Sequence, residues 1–295
     1  MATLKALKTR IGSVASSEKI TGAMKMISSA KVHKNEQELR KLQPFKDQVK
    51  SIMGHLLDTD IDFNSPLIME RDVKRVGVVV YGTDDGLCGA YNINVFKRFL
   101  IEKAHLREAY GDDVEITIIP IGKKMAKACL KVNERNTRTL VPQGVDSKME
   151  GKAVNDFTHS LRADFLNGVF DAVEVVYMKF LSMGKQVPSV EQIFPVSREA
   201  IEGEAAGAED NKLYIFEPDA NSIFNEVLPM FVLSTMQQIT IENRASEQAA
   251  RVMAMQAAND NAKKLLESLQ LEYNKLRQQG ITTELLDILG GQIGR

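Results

Sequence analysis

A chain of 295 residues has room for one large or two modest domains. Its 38 basic and 39 acidic residues leave a formal net charge of −1, which does not point to a nucleic-acid binder. Two cysteines, Cys88 and Cys129, make no disulfide framework, and no apolar run approaches the roughly 20 residues that span a bilayer. A reducing compartment fits, and any link to a membrane runs through partners.

Charge is unevenly spread. Seven basic side chains (Lys5, Lys8, Arg10, Lys19, Lys25, Lys31, Lys34) and one acid, Glu18, fall in the first 35 residues. Five acids and no base fall in 199–210, a low-complexity loop. The basic, amphipathic start has the look of a transit peptide, but its periodicity runs on toward residue 57, so it reads as mature structure.

Residues 2–57 predict one long helix. Leu4, Leu7, Ile11 and Val14 keep a three-four spacing, and the stripe continues through Ile20, Met24, Ile27, Leu39, Leu42, Val49, Ile52 and Leu56. Pro44 predicts a kink or a break. After a polar linker, Arg75–Tyr81 is a β-branched run typical of a strand buried on both faces. The Gly82–Gly89 loop follows, then a helix over 92–110, a strand over 114–121, a helix over 123–131 and a strand over 137–141. A helix over 154–165 and strands over 172–180, 192–196 and 212–216 complete the middle. This alternation predicts a mostly parallel, Rossmann-like α/β sheet covered by helices.

From about Asn221 to Gly290 the chain reads as one helix, with a stripe through Leu228, Val232, Thr235, Ile239, Ala245, Ala249, Val252, Leu265, Leu269 and Leu276. At 1.5 Å per residue it would span about 100 Å. A compact globule of this size has a radius of gyration of only about 19 Å, so the helix has to protrude and something has to cover its stripe. The expected organisation is a helix over 1–57, an α/β domain over 73–217 and a helix over 218–295. The two terminal helices pair antiparallel as a coiled coil, and the alanines from Ala245 to Ala262 let them approach closely.

No catalytic constellation stands out. Gly82-Thr-Asp-Asp-Gly-Leu-Cys-Gly sits where α/β folds bind phosphate. It lacks the Gly-Lys-Ser/Thr ending of a P-loop, holds Asp84 where a dinucleotide fingerprint needs glycine, and carries two carboxylates that repel phosphate. A tight strand–helix turn is the better reading, with Cys88 structural rather than nucleophilic because its neighbours are acidic. The four histidines are scattered and form no metal-ligand spacing, so neither metal nor cofactor is expected. The apolar tip Ile288-Leu289-Gly290-Gly291 asks for a sleeve.

Three blocks carry a family resemblance: Lys19-Ile-Thr-Gly-Ala-Met-Lys-Met through Lys31; Thr83-Asp-Asp-Gly-Leu-Cys-Gly-Ala-Tyr-Asn92; and Ser246-Glu-Gln-Ala-Ala-Arg251 through Asn261, with Ile281-Thr-Thr-Glu284, Asp287 and Gly291. In this order the chain resembles the gamma subunit of F-type ATP synthases over nearly its full length. It departs at Gln292, where the family continues with alanine, and it shows no cysteine pair of the plastid thiol-switch kind.

The resemblance implies a non-catalytic rotary shaft that couples transmembrane proton or other ion flow to ATP synthesis or hydrolysis. It implies as partners the alpha and beta subunits of the head, the epsilon subunit and the membrane ring of c subunits, with no nucleic acid and no direct membrane insertion. It implies a peripheral location on the cytoplasmic side of a bacterial inner membrane. By motif, Met24, Arg251 and Gln278 are shaft positions facing the beta catch loops, Thr282 and Glu284 lie in the bearing, and Gly86, Cys88 and Gly89 form the structural turn. Two rival readings are an enzyme on the α/β domain oligomerised by its helices, and a nucleic-acid-binding coiled coil using the basic arm.

Overall fold

The computed structural model describes residues 4–57, 63–132, 134–197, 199–201 and 216–293, with side chains up to residue 286 in the last stretch. The expected strand over 212–216 and most of the acidic loop lie outside the described residues, except Phe216, which is not in a strand, and Glu199–Ile201, which are helical. The order is α1 (Leu4–Leu57), β1 (Arg75–Tyr81), α2 (Tyr91–Tyr110), β2 (Glu115–Ile121), α3 (Lys123–Cys129), β3 (Thr137–Thr139), α4 (Lys152–Leu166), β4 (Ala172–Ser182), β5 (Lys185–Phe194) and α5 (Ala220–Ile293). The chain forms two compact units, Met1–Ser29 with Arg251–Arg295, and Ala30–Ala250. The inner parts of both terminal helices therefore belong with the sheet.

In the larger unit the sheet runs β3-β2-β1-β4-β5. β1 pairs parallel with β2 and β4, β2 pairs parallel with β3, and only β5 is antiparallel. The central strands are apolar on both faces, as a doubly covered sheet requires. One face carries Val76, Val78, Val80, Ile116, Ile118 and Val176 against Val95, Phe99 and Leu106 of α2 and Met125 of α3. The other carries Val79, Tyr81, Ile119, Val175 and Tyr177 against Phe157 and Leu161 of α4, Met53 and Leu56 of α1, and Leu228, Phe231, Val232 and Met236 of α5. Each such side chain contributes roughly 1.5–3 kcal/mol when fully buried, and these residues hold the helix ends to the sheet.

Two expectations are adjusted. Pro44 lies inside α1, so of the kink or break expected there the break does not occur. Proline removes one helical hydrogen bond, but buried Val49, Met53 and Leu56 hold the turns that follow. Pro229 is carried in the same way inside α5, between buried Leu228 and Phe231. The strand expected over 192–196 starts at Lys185 and forms a hairpin with β4. Its Pro188 is tolerated because β5 is an edge strand.

Pairing of β1 with β4 ends at Val80 and Val176, so Met178 projects beyond its neighbour strand. Helix α5 supplies what the sheet does not. The Met178 amide donates to Asn243 Oδ1 at 3.3 Å, and the Met178 carbonyl accepts from Ser246 Oγ at 2.9 Å. Asn243 also takes the Tyr91 hydroxyl of α2 on its side-chain oxygen. The Tyr91 hydroxyl also reaches the Asn243 carbonyl, at 3.3 Å. Asn243→Ala leaves the buried Met178 amide without this acceptor and the Tyr91 hydroxyl with only the longer one, and is expected to cost about 2–3 kcal/mol in urea unfolding, whereas Tyr91→Phe leaves the Met178 amide paired and costs about 1 kcal/mol. Equal stability of Asn243→Ala and the parent would show that these bonds do not seat α5.

Candidate functional site

In an open parallel sheet the ligand crevice lies beyond the carboxyl ends of the strands where chain order reverses. Here the reversal falls between β1 and β4, because β2 and β3 lie on one side of β1 and β4 on the other. That place is filled by α5. Besides the bonds to Met178, the Tyr81 hydroxyl at the end of β1 meets Thr240 Oγ1 at 2.8 Å, fully buried.

The adjoining Gly82–Gly89 loop is closed on itself. Thr83 Oγ1 donates to the Asp85 carbonyl at 2.7 Å, and Asn92 Nδ2 donates to Thr83 Oγ1 at 2.8 Å. Asp84 accepts from the Lys123 amide at 3.0 Å, the Ser147 amide at 3.1 Å and Ser147 Oγ at 2.7 Å. The α3 amide that could receive an anion is thus already bound to a carboxylate of the protein. Asp85 pairs with Lys148 at 3.0 Å. Burial pushes the Asp84 carboxyl up, but hydrogen bonds from Ser147 and Lys123 and the Lys148 charge outweigh it and hold it below the usual carboxylate range.

Of the three turn residues read from sequence, Cys88 is buried at 3% exposure and Gly89 adopts φ +60°. Gly86 has only the Lys124 side chain near it, at 3.9 Å. Sequence reasoning missed the tighter glycines. A Cβ on Gly82 would stand 2.4 Å from Met125 Cβ, and Gly122, at φ +92°, would put one 2.8 Å from the Thr83 backbone. These two glycines bring the turns after β1 and β2 into contact. Leu87 takes φ +66°, a left-handed conformation that costs a non-glycine residue roughly 1–2 kcal/mol.

The smaller unit is the other candidate. On the first helix, buried or half-buried positions fall at Leu7, Ile11, Val14, Glu18, Thr21, Lys25 and Ser28, alternating steps of four and three. On α5 they fall at Val252, Met255, Asn259, Ala262, Leu266, Leu269, Tyr273, Leu276 and Gly280. Both are heptad seams. The contact is close: Asn259 Nδ2 donates to the Glu18 carbonyl at 2.7 Å, and a Cβ on Gly22 would meet Asn259 at 3.4 Å. Four expected stripe members are on the outside instead: Leu4 at 39%, Ile20 at 59%, Ile27 at 57% and Leu265 at 41% exposure. The true seam uses polar and small residues that a hydrophobic count passes over.

Met24 is half-buried at the edge of this seam. Arg251 is buried, at 8% exposure. Gln278, Thr282 and Glu284 are exposed, with Thr282 Oγ1 donating to the Gln278 carbonyl at 2.9 Å. Arg251 and Gln278 lie about 40 Å apart along one helix, so they do not form a single cluster. Among the described residues no group of His, Cys, Asp and Glu could hold a metal ion.

Asp84→Ala removes three hydrogen bonds to a carboxylate and should destabilise the protein by about 2–4 kcal/mol at pH 7. Because the folded carboxyl titrates lower than the unfolded one, its contribution is present above about pH 4 and is lost as pH falls through the depressed value. Unfolding of parent and variant at pH 7 and pH 3 checks this: the gap should narrow at pH 3, and a constant gap would contradict it.

A family model described as ATP synthase matches residues 3–293. The ATP synthase gamma chain of Bacteroides fragilis is 38% identical over 297 residues, covering 99% of this chain and all of that one. That of Laribacter hongkongensis is 36% identical over 293 residues, covering 99% of each. Among solved structures, a chain of the Euglena gracilis mitochondrial ATP synthase superposes with a TM-score of 0.63 at 22% identity, over 99% of this chain and 94% of that one. The fold is therefore shared, and at the identity of the bacterial relatives, over the whole length, the chain belongs to the ATP synthase gamma chain family.

Proposed function

We propose that this chain is the central rotary shaft of an F-type ATP synthase, a non-catalytic subunit that couples transmembrane ion flow to ATP synthesis or hydrolysis in the head. One observation carries this beyond family membership. The paired helices expose Ile20, Met26, Ile27, Met253, Leu265, Leu271, Ile281, Leu285 and Leu286, seven of them more than half exposed. So many large apolar side chains on one unit call for an enclosing surface, and a sleeve of alpha and beta subunits supplies it. The rival enzyme reading loses its site, since α5 fills the sheet's crevice and Asp84 closes the adjacent loop.

The mechanism is mechanical. A shaft with a different side chain on each face makes different contacts with each alpha–beta pair. Only such differential contact shifts the nucleotide affinity of one pair against another. In this reading Met24, Arg251 and Gln278 meet the catch loops of the beta subunits, and Thr282 and Glu284 sit in the bearing at the tip. The stretch 1–57 and the stretch 218–295 form the shaft, and 73–217 is the foot that meets the epsilon subunit and the ring of c subunits. Among the described residues no helix is long and apolar enough to cross a membrane. Peripheral attachment through the ring, on the cytoplasmic side of a bacterial plasma membrane, is the location proposed.

A tagged chain purified from native membranes should bring down two proteins of similar size in threefold excess, with ATPase activity. Recovery of the chain alone would refute the reading. In the assembled complex, Arg251→Ala and Gln278→Ala should lower the ratio of ATP synthesis to hydrolysis by at least about fivefold while helical content is retained. Parental rates in both variants would remove these residues from the coupling path.

A further inference from the structure

Helix α2 buries two charged side chains among apolar ones, Glu102 and Lys103, and the Lys103 ammonium is paired with Glu134. Tyr91, Val95, Phe99 and Leu106 of α2 point inward, and so does Glu102, at 5% exposure. Across from it, β4 turns Ala172, Val176 and Met178 toward α2, and the alternation of the strand puts Glu174 on the same side. Glu174 is 9% exposed, and its Oε2 is buried without a hydrogen-bond partner. Two carboxylates thus share a helix–sheet interface, and the one buried ammonium that α2 carries among the described residues, Lys103, is committed to Glu134.

They are not equivalent. Glu102 is held on both oxygens, by Arg98 at 2.9 Å and by His105 Nδ1 at 2.8 Å, both on its own helix. The other neighbours of Glu174 do not neutralise it. On β1 its pair is Val78, on β5 its pair is Gln192, and the Gln192 amide is committed to the Pro195 carbonyl at 2.7 Å. The Tyr110 hydroxyl at the end of α2 is pushed up by burial and by the charges of Glu174 and Glu70. An ionised Glu174 would face low-dielectric surroundings and a second carboxylate, with Arg98 and His105 already engaged. A buried carboxylic acid so placed keeps its proton until the pH is high enough to force the charge in.

We propose that Glu174 and Glu102 form a proton-operated latch between α2 and the sheet, in which protonated Glu174 lets α2 seat on β4 and its ionisation loosens that seat. Burial, with the Glu102 charge second and against Arg98 and His105, pushes the Glu174 carboxyl up to about 7. An unfolded glutamate titrates near 4.3, so across the interval between, the folded chain holds more protons than the unfolded one. Stability therefore falls as pH rises from about 4.5 to 7 and levels off above. The device places α2 docking under control of neutral-range pH.

The test is urea unfolding of the full chain between pH 5 and 8.5, for the parent, Glu174→Gln and Glu102→Gln. Relative to Glu174→Gln, the unfolding constant of the parent should rise on the order of a hundredfold across the interval. In Glu102→Gln, with the facing charge gone, the transition should move to lower pH. Hydrogen exchange of the α2 amides at pH 8, corrected for intrinsic rate, should be faster in the parent than in Glu174→Gln. Parallel pH profiles for parent and Glu174→Gln, or equal α2 exchange, would overturn the proposal. So would failure of Glu174→Gln to fold, because the amide is the neutral isostere that should pack best.

Discussion

A helix of 74 residues persists in water only where its apolar face is covered, and the rest of this molecule follows from how α5 meets that constraint. It is covered in two different ways. Over its first thirty or so residues the cover is the sheet's core, where Leu228, Phe231, Val232, Met236 and Ile239 are buried with strand residues. From Val252 onward the cover is the N-terminal helix, through a heptad seam. The residues change with the cover. Large side chains face the sheet, and Ala245, Ala249, Asn259 and Ala262 appear farther along, where small residues allow a second helix to come close.

The seam of the smaller unit is not built for maximal stability. Glu18, Thr21, Lys25, Ser28 and Asn259 occupy positions that a coiled coil optimised for burial would give to leucine or isoleucine. A polar residue at such a position costs stability and fixes register. The bond from Asn259 to the Glu18 carbonyl is satisfied in one alignment of the two helices, and a slip by one turn would leave the amide buried without it. The apolar side chains withheld from the seam, Ile20, Met26 and Ile27, stand outside. That inversion suits a shaft, whose partners surround it: register must be exact within the pair, and adhesive surface must be offered outward.

This inversion also explains what was legible in the sequence. The α/β order could be read because strands buried on both faces are continuous β-branched runs, as in Arg75–Tyr81, and turn glycines separate them. The two long helices could be read from periodicity. The wrong assignments of Leu4, Ile20, Ile27 and Leu265 have one cause: a hydrophobic stripe marks what is apolar, and on this unit apolar does not mean inward. That Pro44 does not break the helix has a different reason: the cost of a proline in a helix is local and tertiary burial downstream exceeds it. The long-range polar bonds had no sequence signal at all. Nothing near Asn243 announces Tyr91 and Met178, and nothing near Asp84 announces Ser147.

The sheet's topology is one that elsewhere holds nucleotides, and the residues that prevent it here do structural work in the same place. Asn243, Ser246 and Thr240 occupy the crevice because β4 outruns β1 and its exposed backbone groups need partners. Asp84 spends its acceptors on Lys123 and Ser147, which ties together the turns after β1 and β2. A ligand would have to displace both sets of bonds, and with them the seat of α5. Anchorage of the long helix and loss of the ligand site are thus one arrangement. A domain that must transmit torque to a helix gains stiffness at the point where an enzyme would keep an opening. Glu174, whose Oε2 is buried without a hydrogen-bond partner, lies under α2 rather than α5, so its ionisation can loosen α2 without releasing α5.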